Sequence, residues 1–151
     1  MVKDCKIGEG TKVWEPVNLY GCTIGKNCKI GTFVEIQKDV VIGNDVIVSS
    51  HTFICSLVTV EDNVFVGHSV KTINDLFPPS CKRTGKTDKW KPTLIKKNAI
   101  IGSGAVLFPI TVGEGTIVGA GSVVTKDCEP GWIYAGNPAK KIRKVTEKDL
   151  Q

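Results

Sequence analysis

An aliphatic residue returns every six positions through residues 24–66: Ile24, Ile30, Ile36, Ile42, Val48, Ile54, Val60 and Val66. Four residues after each stands a second small or β-branched residue: Cys28, Val34, Val40, Val46, Thr52, Val58, Val64 and Val70. A helix turning about every 3.6 residues rotates a period of six off any one face, whereas short strands joined at regular corners keep it. The repeat therefore predicts a parallel β-helix in which each hexad makes one flat side of a three-sided prism. Three hexads close a coil, so residues 18 apart should pair. Ile24 should stack on Ile42 and then Val60, and Ile30 on Val48 and then Val66, at about 4.8 Å per step.

The repeat starts early, at Ile7 and Val13 with Thr11 and Val17 in the second position, and loses one residue between Leu19 and Ile24. It stops after Thr72, resumes at Ile95 and Ile101, slips again between Leu107 and Val112, and continues through Val118 and Val124. The interruption over residues 73–93 reads as a long excursion, and loops beyond about 12–15 residues in a compact domain are usually functional or disordered. Its Phe77 and Trp90 are expected to anchor it by packing. The chain thus reads as one all-β domain, residues 1–151, of about six coils. Its tail, residues 139–151, is expected to be a short helix or irregular cap over the open end of the prism.

Composition narrows the function classes. The start Met1-Val2-Lys3-Asp4-Cys5-Lys6 lacks an apolar core, and no run approaches the roughly 18 apolar residues needed to cross a bilayer. A cytoplasmic protein with no membrane partner is expected. The cysteines Cys5, Cys22, Cys28, Cys55, Cys81 and Cys128 show neither CxxC nor Cys/His zinc spacing. They read as reduced packing thiols, with no metal site. The net charge of +5 hides two basic clusters, one of Lys82, Arg83, Lys86, Lys89, Lys91, Lys96 and Lys97, the other of Lys126, Lys140, Lys141, Arg143 and Lys144. They suit small phosphorylated ligands better than nucleic acid, because no recognised nucleic-acid-binding motif accompanies them.

The hexads Ile24-Gly25, Ile42-Gly43 and Val66-Gly67, the stretches Ile101-Gly102-Ser103-Gly104-Ala105 and Val118-Gly119-Ala120-Gly121-Ser122, and the ending Gly136-Asn137-Pro138-Ala139-Lys140 resemble the bacterial hexapeptide-repeat acyltransferases over nearly the whole chain. Within that superfamily, Phe33-Val34-Glu35-Ile36-Gln37, Ser50-His51-Thr52-Phe53-Ile54, Gly67-His68, Ile73-Asn74-Asp75-Leu76-Phe77-Pro78 and Lys91-Pro92-Thr93-Leu94-Ile95-Lys96-Lys97 look like the branch that acetylates the 3-amino group of nucleotide-linked deoxyamino sugars for cell-surface glycans. The resemblance implies a left-handed coil, against the general preference for right-handed crossovers. It also implies a homotrimer, with acetyl-coenzyme A (acetyl-CoA) in the groove between adjacent prisms and the loop reaching a neighbour.

Acetyl transfer to an amine needs a neutral nitrogen, a thioester within reach, an oxyanion donor and a destination for the proton. The only histidines, His51 and His68, are 17 residues apart and fall on successive layers of nearly the same edge. His68 is the leading base or oxyanion donor; His51 is a second candidate that binds the sugar or buttresses His68. Asn74 can orient an amine or hydroxyl through its amide, and Asp75 can accept from the amine or fix the loop. Asn-Asp also simply begins turns. Glu35 and Gln37 lie one coil below Phe53 and Cys55 and match the family's sugar-proximal stretch, with Phe77 a further substrate contact. For the coenzyme, Gly102, Ser103, Gly104, Gly119 and Ala120 let pantetheine run close to the backbone, although corner glycines also serve the turns. Lys126, Lys140, Lys141 and Arg143 are candidates for its phosphates, and Trp132 and Pro138 for its adenine. A sugar O-acetyltransferase and a non-catalytic β-helix remain alternatives. A zinc carbonic anhydrase on this fold would need three histidine ligands, and the chain has two.

Overall fold

A computed structural model describes residues 1–151, the side chains of residues 80 and 81 excepted. Three parallel sheets form the faces of a left-handed prism. Face A holds Val2–Lys3, Asn18–Tyr20, Glu35–Ile36, Phe53–Ile54, Lys71–Thr72, Val106–Leu107 and Val123–Val124. Face B runs from Lys6–Ile7 to Thr111–Val112, and face C from Lys12–Val13 to the closing strands Trp132–Gly136 and Ala139–Lys144. The longest faces stack about seven layers, one more than the repeat count suggests. The shortfall lies at the N-terminal end, where Val2–Lys3 pairs with Asn18–Tyr20 before the aliphatic period begins.

The register follows the period. Ile24 pairs with Ile42 and Ile42 with Val60; Ile30 pairs with Val48 and Val48 with Val66. Where a residue is lost the step shortens by one, so Ile7 pairs with Ile24 and Leu107 with Val124. Both aliphatic series point inward and are buried, Cys28 among them. Where the second series carries Thr52, its hydroxyl donates to the Gly67 carbonyl at 2.9 Å, so the axis contains no unsatisfied oxygen there. A single layer would leave both its rims exposed. Stacking alone covers them, which makes the core one cooperative column.

Two expectations need correction. Thr93 is already in the strand Thr93–Ile95, so the excursion ends at Pro92; it contains the short helix Ser80–Thr84, and the Lys91 N–H closes it on the Asn74 carbonyl at 2.8 Å. The tail is neither helix nor irregular through residue 144. Ala139–Lys144 folds back antiparallel on Trp132–Gly136 and covers the last rung of face C. Only Glu147–Leu150 forms a 3-10 turn, started by Thr146. No helix among the described residues is long and apolar enough to cross a membrane.

Candidate functional site

Every layer turns three corners, and nearly every corner needs one residue in the left-handed backbone region. On the edge between faces B and C these residues are Gly10, Asn27, Asp45, Asn63, Asn98, Gly115 and Gly131, types that adopt a positive φ at little cost. The edge between faces C and A differs: Phe33 (φ 60°), His51 (64°) and Ser69 (58°) occupy the same position in successive layers. Costly residues at a position that glycine would fill more cheaply point to function along that edge.

His68 stands next to Ser69 on that edge. Its backbone N–H donates to Ser103 Oγ at 3.1 Å, and its Nδ1 lies 2.9 Å from Ser50 Oγ one layer below. With Nδ1 engaged, Nε2 is the ring nitrogen left for chemistry. If the serine hydroxyl donates to Nδ1, Nε2 carries the proton and acts as a hydrogen-bond donor; if Nδ1–H donates to the hydroxyl, Nε2 is a base. His51 does not stack on His68. The two sit one residue out of step, because the layer period is 18, and His51 packs instead on Phe33 with ring centroids 4.9 Å apart. Ser50, 18 residues before His68, is the partner that the same arithmetic could have identified from the sequence. A groove of about 380 Å³ runs below His68, lined by Ser50, Ser49, Thr32, Gly31, Lys29 and Trp14 among others.

The same edge continues upward through Gly102, Ser103, Gly104, Gly119 and Ala120. A Cβ at Gly102 would lie 2.5 Å from the Ala120 nitrogen, so glycine is required there by packing alone. Gly104, at φ 73°, serves the corner in the same way. Beyond it, the basic cluster divides. Lys141 is 2.6 Å from Glu129 and 3.7 Å over the Trp132 ring, and Arg143 makes a two-pronged pair with Asp149 at 2.7 and 2.8 Å. Those hydrogen bonds hold the Asp149 carboxyl well below its usual range and raise the Arg143 guanidinium. No ion pair engages Lys126 or Lys140 among the described residues, and both are exposed, as is Pro138. Trp132 is covered by Lys141 in this conformation.

Asn74 and Asp75 lie elsewhere. They follow face A and sit at its edge with face B, in a pocket of about 530 Å³ that shares no lining residue with the His68 groove. Within one chain the structure therefore separates the two halves of the expected catalytic group. Asn74 Nδ2 donates to the Ser56 carbonyl at 3.1 Å, and the Phe77 N–H donates to Asp75 Oδ1 at 3.0 Å. Gln37 joins this pocket and accepts from the Ser56 N–H; Glu35 faces outward on face A, paired in register with Phe53. Phe53, Phe108 and Trp90 supply an aromatic lining. Trp90 lines this pocket and anchors the excursion as expected, but Phe77 is 67% exposed.

Burial pushes the Cys22 and Cys128 thiols up to about 12, and the described cysteines are unpaired thiols. Among the described residues no three His, Cys, Asp or Glu side chains gather as a metal site.

The sequence model described as bacterial transferase hexapeptide (six repeats) matches residues 21–56, and that described as hexapeptide repeat of succinyl-transferase matches residues 92–126. A putative acetyltransferase of Schizosaccharomyces pombe is 38% identical over 92 residues, 60% of this chain and 44% of that protein. The galactoside O-acetyltransferase of Escherichia coli K12 is 35% identical over 61% of this chain and 46% of its own length. The chain thus spans less than half the length of these relatives. A crystal structure of a point mutant of AntD, an N-acyltransferase from Bacillus cereus, in complex with dTDP and coenzyme A superposes with a TM-score of 0.81 at 25% identity, covering 96% of this chain and 86% of that one.

Proposed function

We propose that this chain, a member of the hexapeptide-repeat transferases, uses acetyl-CoA to acetylate the amino group of a nucleotide-linked deoxyamino sugar. The observation that carries the reading is His68, its Nδ1 held by Ser50 and its backbone N–H by Ser103 on a glycine-lined edge. AntD, an N-acyltransferase crystallised with dTDP and coenzyme A, supports both ligands. In the step itself the neutral sugar nitrogen attacks the thioester carbonyl, and His68 Nε2 donates to the developing oxyanion or accepts the ammonium proton. The C–S bond breaks, and the leaving sulfur takes up a proton to give free coenzyme A.

The reading includes a second copy of the chain. Face C presents Ile47, Phe65, Ile100, Ile117 and Ile133 outward in one register-matched stripe, which a neighbouring prism would cover. Because His68 and Asn74 occupy different edges, a homotrimer would complete each site by joining the His68 edge of one copy to the Asn74 pocket of the next. In that arrangement Asn74 and Asp75 orient the amine, and Lys126 and Lys140 meet the coenzyme's phosphates. Such a protein would act in the cytoplasm, where both substrates are made.

Transfer to a sugar hydroxyl is a second reading, favoured by the Escherichia coli O-acetyltransferase relative. An alcohol needs a base, whereas a neutral amine does not. The deciding experiment incubates the protein with acetyl-CoA and a panel of nucleotide-linked amino sugars and their hydroxyl counterparts, measuring free thiol release. Turnover restricted to the amines is expected. Turnover restricted to the hydroxyls selects the second reading, and no binding of coenzyme A at millimolar concentration by calorimetry removes both.

A further inference from the structure

At the N-terminal end of the prism, one inward column begins with two cysteines. Lys6 pairs with Thr23 and Thr23 with Val41, so Cys5, Cys22 and Val40 succeed one another at the same position in the first three layers. The Cys22 thiol donates to the Cys5 sulfur at 3.4 Å. The other described thiols engage oxygen instead: Cys28 donates to the Gly43 carbonyl at 3.1 Å and Cys128 to the Lys126 carbonyl at 3.8 Å, and Cys55 accepts from the Thr72 hydroxyl at 3.1 Å. Backbone hydrogen bonds flank the cysteine pair, from Gly21 N–H to the Lys3 carbonyl and from Lys6 N–H to the Cys22 carbonyl, each 3.0 Å. They hold the two strands at the ladder spacing of about 4.8 Å, inside the roughly 4.4–6.8 Å between α-carbons that a disulfide spans.

The two sulfurs differ in access. Cys5 is half-buried in the first layer, where Val2 is 45% and Ile7 39% exposed, whereas Cys22 is buried one layer in. Burial, with Cys5 beside it, pushes the Cys22 thiol up to about 12, so it keeps its proton at neutral pH. Cys5 is therefore the sulfur that a small oxidant meets first. Its layer is also the least secured part of the column, because among the described residues no further layer stacks beneath it.

We propose that Cys5 and Cys22 form a peroxide-responsive thiol pair whose disulfide ties the first layer of the prism to the second. Hydrogen peroxide oxidises the Cys5 thiol to a sulfenic acid and is itself reduced to water. The Cys22 sulfur then attacks the Cys5 sulfur, the S–O bond breaks, and the hydroxyl leaves with the Cys22 proton as a second water. Glutathione reverses the bond by thiol exchange and is itself oxidised to its disulfide. The ring closed, residues 5–22, takes in most of the first coil, so the crosslink limits how far that coil can open. The pair acts on the scaffold and does not depend on which acceptor the protein uses.

The test treats the full chain with hydrogen peroxide, blocks the remaining thiols with iodoacetamide in denaturant, and maps tryptic peptides by mass spectrometry without reductant. A peptide pair joined through Cys5 and Cys22, lighter than the two free peptides by two hydrogens and separated by dithiothreitol, is expected. The oxidised chain should melt about 5 °C or more above the reduced one, and protease should cut its first layer more slowly. Cys5→Ser, shown by its melt in reductant to be folded, should lose both the crosslink and the rise in melting temperature. Cys128→Ser, folded by the same criterion, should keep both. Oxidation of Cys5 to the sulfinic acid without a crosslink, a crosslink between two other cysteines in its place, or dimers joined through Cys5 would overturn the proposal. So would an equal rise in melting temperature in peroxide-treated Cys5→Ser.

Discussion

Two edges of the same prism solve one backbone problem with different residues. Between faces B and C, the left-handed corners are filled by Asn27, Asp45, Asn63, Asn98 and glycines, and Asn63 donates to Asn98 at 2.8 Å across two successive layers. Between faces C and A, the equivalent corners carry Phe33, His51 and Ser69 in successive layers, with His68 alongside, before Gly104 and Gly121 take the position in the layers above. The backbone is the same, so the difference is not required by the turn. Three strained residues in successive layers, each costing about 1–2 kcal/mol relative to glycine, make the stretch beside His68 the part of the prism where side-chain function is tested first; Leu57 (φ 72°), between faces A and B, is the one comparable apolar corner elsewhere among the described residues.

The comparison can be broken at several strengths. Ile42→Asp puts a charge on the axis that both edges share and should abolish folded, soluble protein. A cooperative melt with an unchanged midpoint would show that the register is wrong. Next in size, His68→Ala should lower kcat at least tenfold with little change in melting temperature, while Asn98→Ala, at the corresponding corner of the generic edge, should leave turnover alone and lower stability. Equal turnover in both would remove the functional distinction. Ser50→Ala should lower kcat less than His68→Ala and shift the pH–rate profile, since it frees Nδ1, and Ser50→Thr should restore both.

Exchange of corner residues is a smaller test. Ser69→Asn should stabilise the protein by about 0.5–1 kcal/mol and Asn27→Ser should destabilise it by a similar amount, because asparagine tolerates positive φ. Opposite signs in denaturant titrations would refute the strain argument. The smallest effect is alkaline. The Cys22 and Cys128 thiols, at opposite ends of the column, are held near 12 by burial, above the ordinary value of 9.0. Below pH 9 neither state ionises them, so their contribution is fully present. Between 9 and 12 the unfolded chain releases protons that the folded chain retains, so stability should fall as pH rises. Serine at both positions should remove that slope in thermal melts between pH 8 and pH 10.5.

Much of the fold was legible in the residues, because a period of six on one prism is a local rule repeated. Ile24, Ile42 and Val60 face the axis for the same reason at each layer, and the slips near Leu19 and Leu107 announced the shortened steps. The tail was misjudged because Ala139–Lys144 has no apolar period to read; its strand is induced by the unpaired rung of Trp132–Gly136. The candidate site was less legible. His68 and the glycine edge could be picked out, but Ser50 required the layer arithmetic, and Trp14 and Lys29 carry no motif at all.

The sequence by itself determined the prism, its inward residues and the place where it is interrupted, since these follow from periodicity and burial. Only the tertiary structure decided which edge each side chain occupies. It put His68 over Ser50, turned His51 onto Phe33, tied Arg143 to Asp149, and set Asn74 on a different edge from His68. The physical reason is that a corner of a β-helix changes face within two residues. Positions six apart in sequence can therefore lie on separate edges, while positions 18 apart touch.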